Sequence, residues 1–204
     1  KSLTHYYPEN TIISSGLSKW CGAGGWRIGT LTFPKELSYI KDSIRNIASE
    51  TYTAVSAPIQ FAAIKAYSED HSEFLENSRL ILKMIADFVH NELSSVGVSC
   101  QKPQGGFYMI CDFSNISNLA KKINDDKILC QTILNEIGFA MLPGSDFGLE
   151  GDKLLSRIAF VDFDGEEALR IISEVDLSAN ELLNIICPKI VKGISILKNW
   201  IKNQ

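Results

Sequence analysis

The sequence lacks several features that mark whole classes of protein. It contains no run of roughly 18 uncharged apolar residues, so we predict no membrane-spanning helix and no membrane partner. Its first residues do not show the charged-then-apolar pattern of a signal peptide. The five cysteines form no Cys-x-x-C motif, and none has a histidine at zinc-ligand spacing, so we predict no metal site. Scattered, odd-numbered cysteines favour reduced thiols in a cytoplasmic protein.

An excess of positive charge is also absent. Lysine and arginine number 20 against 24 acidic residues, which gives a net charge of −4 and argues against a nucleic-acid-binding protein. Hydrophobic residues make up 45% of the 204 positions and charged residues 22%, so the chain is expected to be globular rather than disordered. This length is enough for one large domain or two small ones.

The order of apolar runs and helical patterns indicates a mixed fold, α/β or α+β. Residues 11–17 are predicted to form a buried strand, and a second strand follows in Trp26–Phe33. A helical region from about 59 to 93 is expected to break near 68–72, and residues 96–113 are predicted to form strand, turn and strand. The remaining predicted elements are a helix at 117–137, strands at 139–142 and 156–161, and helices at 165–176 and 178–202.

The segment GLSKWCGAGGWRIG, from Gly16 to Gly29, combines a lysine and an arginine with a glycine-rich stretch, which makes it the candidate for a ligand-binding or catalytic loop. We expect Lys19 at the end of a strand, then a glycine-rich reversal, then Arg27 at the start of the next strand. A lysine and an arginine converging in this way could hold an anionic ligand that bears a carbonyl group. Three alternatives remain for this segment. It could be a hairpin whose cations are solvated, a P-loop that lacks its closing Gly-Lys-Ser/Thr, or a dinucleotide-binding loop interrupted by Arg27.

The same segment resembles the pyridoxal-phosphate attachment signature of the class I/II aminotransferases, and every position of that signature is met. The resemblance extends in order along nearly the whole chain. Its further segments are SAPIQFAAIKAY (Ser56–Tyr67), PQGGFYMICDF (Pro103–Phe113), GFAMLPGSDFG (Gly138–Gly148) and SRIAFVDFDG (Ser156–Gly165). It implies an α/β fold of fold type I, with the C-terminal part of the large αβα domain followed by the α+β small domain.

The resemblance also implies an activity and roles for particular residues. Amino groups would move between an amino acid and a 2-oxo acid in a ping-pong reaction, through a Schiff base of pyridoxal phosphate on Lys19. Arg27 would bind the cofactor phosphate, with Ser15 and Ser18 adding hydroxyl contacts. Arg157 would bind the substrate carboxylate beside Tyr108. From the residues alone, Arg157 could instead pair with a structural carboxylate such as Asp162 or Asp164, and Tyr108 could be a core residue.

Family members place an aspartate and a tyrosine of the cofactor site well before the lysine, farther than the 18 residues that precede Lys19 here. Together with the Lys1 start, this predicts that the chain needs an N-terminal half, as a separate or cleaved chain, and that the full protein is a homodimer.

The predicted domains are the end of the cofactor-binding domain at 1–60, interdomain helices at 61–95 and the small domain at 96–204. The alternatives are a catalytically inactive module with a binding or regulatory role, and another enzyme of the same fold, a lyase or a synthase.

Overall fold

The chain divides into two units, residues 1–71 and 72–204, and the first unit contains a two-stranded antiparallel hairpin. The computed structural model describes residues 2–151, 153–174 and 179–204. In the first unit, strand β1 (Ile13–Gly16) pairs with β2 (Gly29–Thr32), and the short helix α1 (Leu17–Trp20) lies between them. Helices α2 (Ser38–Thr51) and α3 (Ala57–Ser68) complete the unit. Single 3-10 turns occur at Leu3–His5, Pro8–Asn10, Gly24–Trp26 and Lys35–Leu37.

The first strand differs from its prediction in both length and burial. It covers four residues, and Ile13, Ser14 and Ser15 are exposed. The prediction of a buried strand over 11–17 was therefore wrong in its burial. A short apolar, β-branched run favours an extended backbone, but whether a second layer covers that backbone depends on the rest of the fold.

The second unit contains a four-stranded antiparallel sheet in the order β3-β4-β6-β5. Its strands are β3 (Ser99–Cys100), β4 (Tyr108–Asp112), β5 (Leu142–Pro143) and β6 (Leu155–Ala159). Its helices are α4 (Ser72–Ser94), α5 (Ser117–Lys122), α6 (Asp126–Ile137), α7 (Gly165–Glu174), α8 (Ala179–Ile186) and α9 (Pro188–Lys202). The predicted strand, turn and strand at 96–113 is confirmed as β3 and β4.

One face of the sheet packs on the core of this unit. Alternate residues of β4, Met109 and Cys111, are buried, as are Ile158 of β6 and the helix residues Ile85 and Leu197. A strand alternates its side chains between two faces, so Tyr108 and Ile110 of β4 lie on the opposite face. The predicted site residues of this unit, Tyr108 and Arg157, lie on that opposite face.

Local chemistry explains where the long helical predictions divide. Asp125 separates α5 from α6, because its carboxylate accepts hydrogen bonds from the amides of Lys127 and Ile128 at 2.8 and 3.0 Å. Helix α9 begins at Pro188. Proline has no backbone N–H, but the N–H groups of the first helical turn have no partner within the helix, so proline is tolerated there. The predicted break at 68–72 is confirmed between α3 and α4. The predicted helix ends at 175–178 lie outside the described residues.

The described residues contain no helix long and apolar enough to cross a membrane. They also contain no group of three or more metal-ligating side chains. The domain boundaries predicted at 60 and 95 remain a prediction.

Candidate active site

Two glycines close the base of the loop that carries Lys19 and Arg27. Gly16 and Gly29 are direct partners in the β1–β2 ladder. A Cβ atom at Gly16 would lie 3.3 Å from the carbonyl oxygen of Ile28, and one at Gly29 would lie 3.3 Å from that of Ser15. The two backbones approach this closely because neither partner has a side chain.

Helix α1 holds Lys19 on an anchored turn. Leu17 is fully buried and packs in a small cluster with Ala23 and with Ala63 and Ala66 of α3. The Ala23 amide also donates to the Leu17 carbonyl at 3.1 Å, which folds the loop back on the helix. Lys19, two positions after Leu17, is exposed. The lysine is therefore presented to solvent by a turn whose other side is packed.

Trp20 packs the C-terminal end of α1 against the Leu17 cluster. Its side chain is half-buried against the Leu17 cluster, and its ring centroid lies 5.9 Å from that of Tyr67 on α3. Residues three apart on a helix share a side, so Leu17 and Trp20 anchor the turn together. The prediction that Lys19 ends a strand is wrong, because burial of Leu17 and Trp20 on one side requires a helical turn.

Arg27 adopts an unusual backbone conformation. Its φ is +52°, in the left-handed region, and its Nη1 donates to the Gly24 carbonyl at 3.1 Å. For a residue other than glycine, this conformation costs about 1–2 kcal/mol. Arg27 lies two residues before β2, so the prediction that it starts the strand is also wrong. The left-handed residue reverses the chain after the Gly24–Trp26 turn and leaves the arginine side chain exposed.

The loop and its flanks carry an amine, a guanidinium and two hydroxyl groups. Lys19 supplies an amine, Arg27 a planar guanidinium, and Ser15 and Ser18 supply hydroxyls, Ser15 being exposed and Ser18 half-buried. A phosphate is bound best by a forked guanidinium and hydroxyl donors, and an aldehyde reacts with an amine. These donors therefore fit the phosphate and aldehyde of pyridoxal phosphate.

Arg157 lies in the middle of β6 in the second unit, opposite Ile110 of β4 and Leu142 of β5. Its guanidinium carbon is 4.2 Å from the ring centroid of Tyr108 and 4.0 Å from that of Phe147. Contacts of this kind hold a guanidinium against aromatic faces without using its N–H donors.

The alternative carboxylate partners of Arg157 are engaged elsewhere. Asp162 pairs with Lys189 at 3.4 Å, and Asp164 accepts a hydrogen bond from the Glu167 amide at 3.1 Å. Within residues 2–151, 153–174 and 179–204, no carboxylate forms an ion pair with Arg157, and its Nε is buried without a hydrogen-bond partner. A buried donor of this kind is costly, so the site favours an external anion.

Phe147 is a residue that sequence reasoning missed. It is the last residue of the 3-10 turn Gly144–Phe147, and its contact with Arg157 depends on how that turn packs beside β6. An aromatic residue in a Pro-Gly loop was the available signal. Tyr108 does contact Arg157, while its role toward a substrate remains a prediction.

Comparison with known proteins identifies the family. The model of the family "Aminotransferase class I and II" matches residues 3–174. The chain belongs to this family. An aspartate/prephenate aminotransferase of Thermus thermophilus is 30% identical over 151 residues, which cover 73% of this chain and 37% of that protein. A probable N-acetyl-LL-diaminopimelate aminotransferase of Bacillus subtilis is 30% identical over 159 residues, covering 78% and 38%.

Solved structures agree on the fold. An aromatic aminotransferase from Pyrococcus horikoshii superposes with a TM-score of 0.70 at 23% identity, over 96% of this chain and 44% of that one. An aspartate aminotransferase from Thermotoga maritima gives 0.64 at 23% identity, over 94% and 40%. The predicted α/β fold of fold type I is thus confirmed. The chain spans about two fifths of the length of the curated relatives it matches.

Proposed function

We propose that this chain is part of a pyridoxal-phosphate-dependent aminotransferase that moves an amino group between an amino acid and a 2-oxo acid. Family membership and the presentation of Lys19 on an anchored, solvent-facing turn support the proposal. Of these two, the Lys19 turn is the observation that carries it, because the chemistry needs one accessible amine held in a defined place.

The first unit would supply the cofactor-binding groups. Lys19 would hold pyridoxal phosphate covalently, and Arg27, Ser15 and Ser18 would hold its phosphate. When bound, the cofactor acts as an electron sink that weakens the bonds of the substrate α-carbon. The released Lys19 amine would then move a proton at that carbon. A lysine suits this step because its amine can both accept and release a proton.

The second unit would supply recognition of the substrate carboxylate. Arg157 would donate to it, and Tyr108 would limit the space beside it. The unpartnered Nε of Arg157 supports this role, since a carboxylate supplies the acceptor that the described residues do not.

We further propose three properties of the whole enzyme. Its activity requires an N-terminal half outside this chain, since the chain spans about two fifths of its curated relatives. The complete enzyme is a homodimer, which light scattering on purified protein tests directly. Its location is cytoplasmic, consistent with five cysteines that are all free thiols.

Borohydride trapping tests the proposed role of Lys19. The chain is incubated with pyridoxal phosphate together with the N-terminal half, then reduced and digested. We expect a pyridoxyl adduct on Lys19, identified by mass spectrometry, and loss of amino transfer in Lys19→Ala. Lys35→Ala is the matched control, because Lys35 is also exposed and in the same unit. Adducts spread over several lysines, or none on Lys19, would sink the proposal.

The same preparation separates the alternatives. A Lys19 adduct with amino transfer to a 2-oxo acid supports the aminotransferase. A Lys19 adduct with elimination or condensation products instead indicates a lyase or a synthase of the same fold. A folded chain that takes up no cofactor in the presence of the N-terminal half indicates an inactive module with a binding or regulatory role.

A further inference from the structure

Two cysteines face each other across the first two strands of the sheet in the second unit. Cys100 of β3 and Cys111 of β4 are direct partners in the antiparallel ladder, and their Sγ atoms are 3.1 Å apart. The strands are joined by residues 101–107, a loop that contains Pro103 and the pair Gly105–Gly106. The two thiols are thus held together by the register of the hairpin.

The geometry of the pair suits a covalent cross-link. Directly opposed residues of an antiparallel ladder have Cα atoms about 4.5–5.5 Å apart, which lies within the range of about 4.4–6.8 Å that disulfides span. The sulfur atoms must approach by about 1 Å to reach a bond length of about 2.05 Å. Rotation about the side-chain bonds supplies such a movement without shifting either strand.

The two thiols differ in access. Cys100 is half-buried on the two-residue strand at the edge of the sheet, whereas Cys111 is completely buried on the core-facing side of β4. When Cys100 ionises, the neighbouring Cys111 thiol can donate a hydrogen bond to it, and this lowers the pKa of Cys100. The pKa of Cys111 is raised by the same contact and by burial. Cys100 is therefore the thiol that a solution reagent meets first.

We propose that Cys100 and Cys111 are a reversible dithiol–disulfide pair, a modification site that takes low-molecular-weight disulfides as its oxidant. The Cys100 thiolate attacks one sulfur of the small disulfide, forms a mixed disulfide and releases one small thiol. The Cys111 sulfur then attacks the Sγ of Cys100, its proton passes to the departing sulfur, and the second small thiol is released. The protein dithiol is oxidised by two electrons and the small disulfide is reduced by the same two.

The other cysteines provide internal references. Cys130 and Cys187 are buried in the core, and the Cys187 thiol donates to the Leu183 carbonyl at 3.1 Å. Cys21 is half-buried in the first unit and has no place in the hairpin. A reagent should therefore distinguish the hairpin pair from these three thiols.

The test uses the 204-residue chain and glutathione redox buffers of increasing oxidised fraction. The chain is quenched with acid, its free thiols are alkylated, and its peptides are mapped by mass spectrometry. We expect the wild type to lose the mass of two hydrogen atoms and to yield one cross-linked peptide that joins Cys100 to Cys111. We also expect protection of Cys100 from alkylation, while Cys21 stays reactive, and complete reversal by excess dithiol reductant.

Variants assign the order of the two steps. Cys111→Ala is expected to stop at a persistent glutathione adduct on Cys100, and Cys100→Ser is expected to show no adduct on Cys111. Cys130→Ser is the matched control and should form the same cross-link as the wild type. Circular dichroism confirms that each variant is folded before it is compared. A wild-type chain that keeps both thiols free, stops at a mixed disulfide, or links either one to Cys21 would overturn the proposal.

Discussion

The guanidinium carbon of Arg157 lies 4.0 Å from the centroid of the Phe147 ring, so a residue of the Gly144–Phe147 turn helps to fix an arginine of strand β6. This contact crosses from a loop to the middle of the sheet. It gives the proposed carboxylate-binding arginine a defined orientation before any substrate arrives, and orientation in advance lowers the cost of binding.

Replacing Phe147 by leucine should weaken substrate binding in the complete enzyme. The change removes the aromatic face but keeps an apolar side chain. A contact of this kind contributes about 1 kcal/mol, which corresponds to about a fivefold rise in KM for the amino acid with little change in kcat. Steady-state kinetics measures this split. Phe61→Leu makes the same change on the exposed side of α3 and should leave KM unaltered. A fall in kcat with constant KM would contradict the orienting role of Phe147.

Gly29→Ala should destabilise the loop that carries Lys19. The new Cβ would lie 3.3 Å from the Ser15 carbonyl oxygen, so the two strands must separate slightly at the base of the loop. We expect the free energy of unfolding to fall by about 1 kcal/mol, measured by urea denaturation. Gly25→Ala is the control within the same loop, because a Cβ there meets no atom within 4 Å. Equal losses in the two variants would refute the close approach as the cause.

The buried thiol of Cys130 should make stability depend on alkaline pH. Burial, together with Asp126 and Asp146, raises the pKa of Cys130 from 9.0 to about 12. Between these values the unfolded chain loses the thiol proton and the folded chain keeps it. The contribution of this thiol to the free energy of unfolding is therefore complete below pH 9 and is lost as the pH rises toward 12, so the folded chain becomes less stable over this interval. A pKa that differs by 1 between the folded and unfolded chains corresponds to at most about 1.4 kcal/mol.

Denaturation of the wild type and Cys130→Ala across this range measures the effect. The variant should lose less of its free energy of unfolding between pH 9 and pH 12 than the wild type does. Curves that remain parallel over this interval would show that Cys130 does not contribute.

Trp200 connects the C-terminal helix to α6 through a hydrogen bond. Its indole Nε1 donates to Oε2 of Glu136 at 2.6 Å, and its ring is buried. Trp200→Phe keeps an aromatic ring but removes the donor, which should cost about 1–3 kcal/mol because the acceptor is charged. Thermal unfolding followed by circular dichroism measures the loss. Trp26→Phe applies the same substitution at an exposed position and should cost less than about 0.5 kcal/mol. A Trp200→Phe variant as stable as the wild type would show that the bond adds no net stability.

Much of the element order followed from the sequence, because its signals are local. The break between α3 and α4 and the strands β3 and β4 rest on residues within a few positions of one another. The conformation of the Lys19–Arg27 loop did not follow in the same way. Its helical turn depends on burial of Leu17 against Ala63 and Ala66 of α3, far along the chain, and no local pattern encodes that contact.

The segment from Gly16 to Gly29 and the arginine of β6 were recognised from the sequence, since their residue types and spacing are enough to indicate a family. Only the tertiary structure decided which side chains meet. The register of β3 against β4 brings Cys100 and Cys111 to 3.1 Å, and the Gly144–Phe147 turn places an aromatic ring on Arg157. Neither helical nor strand periodicity in the sequence predicts that the residues of these two contacts meet. They arise from strand pairing and loop packing, which are set by burial of the core as a whole.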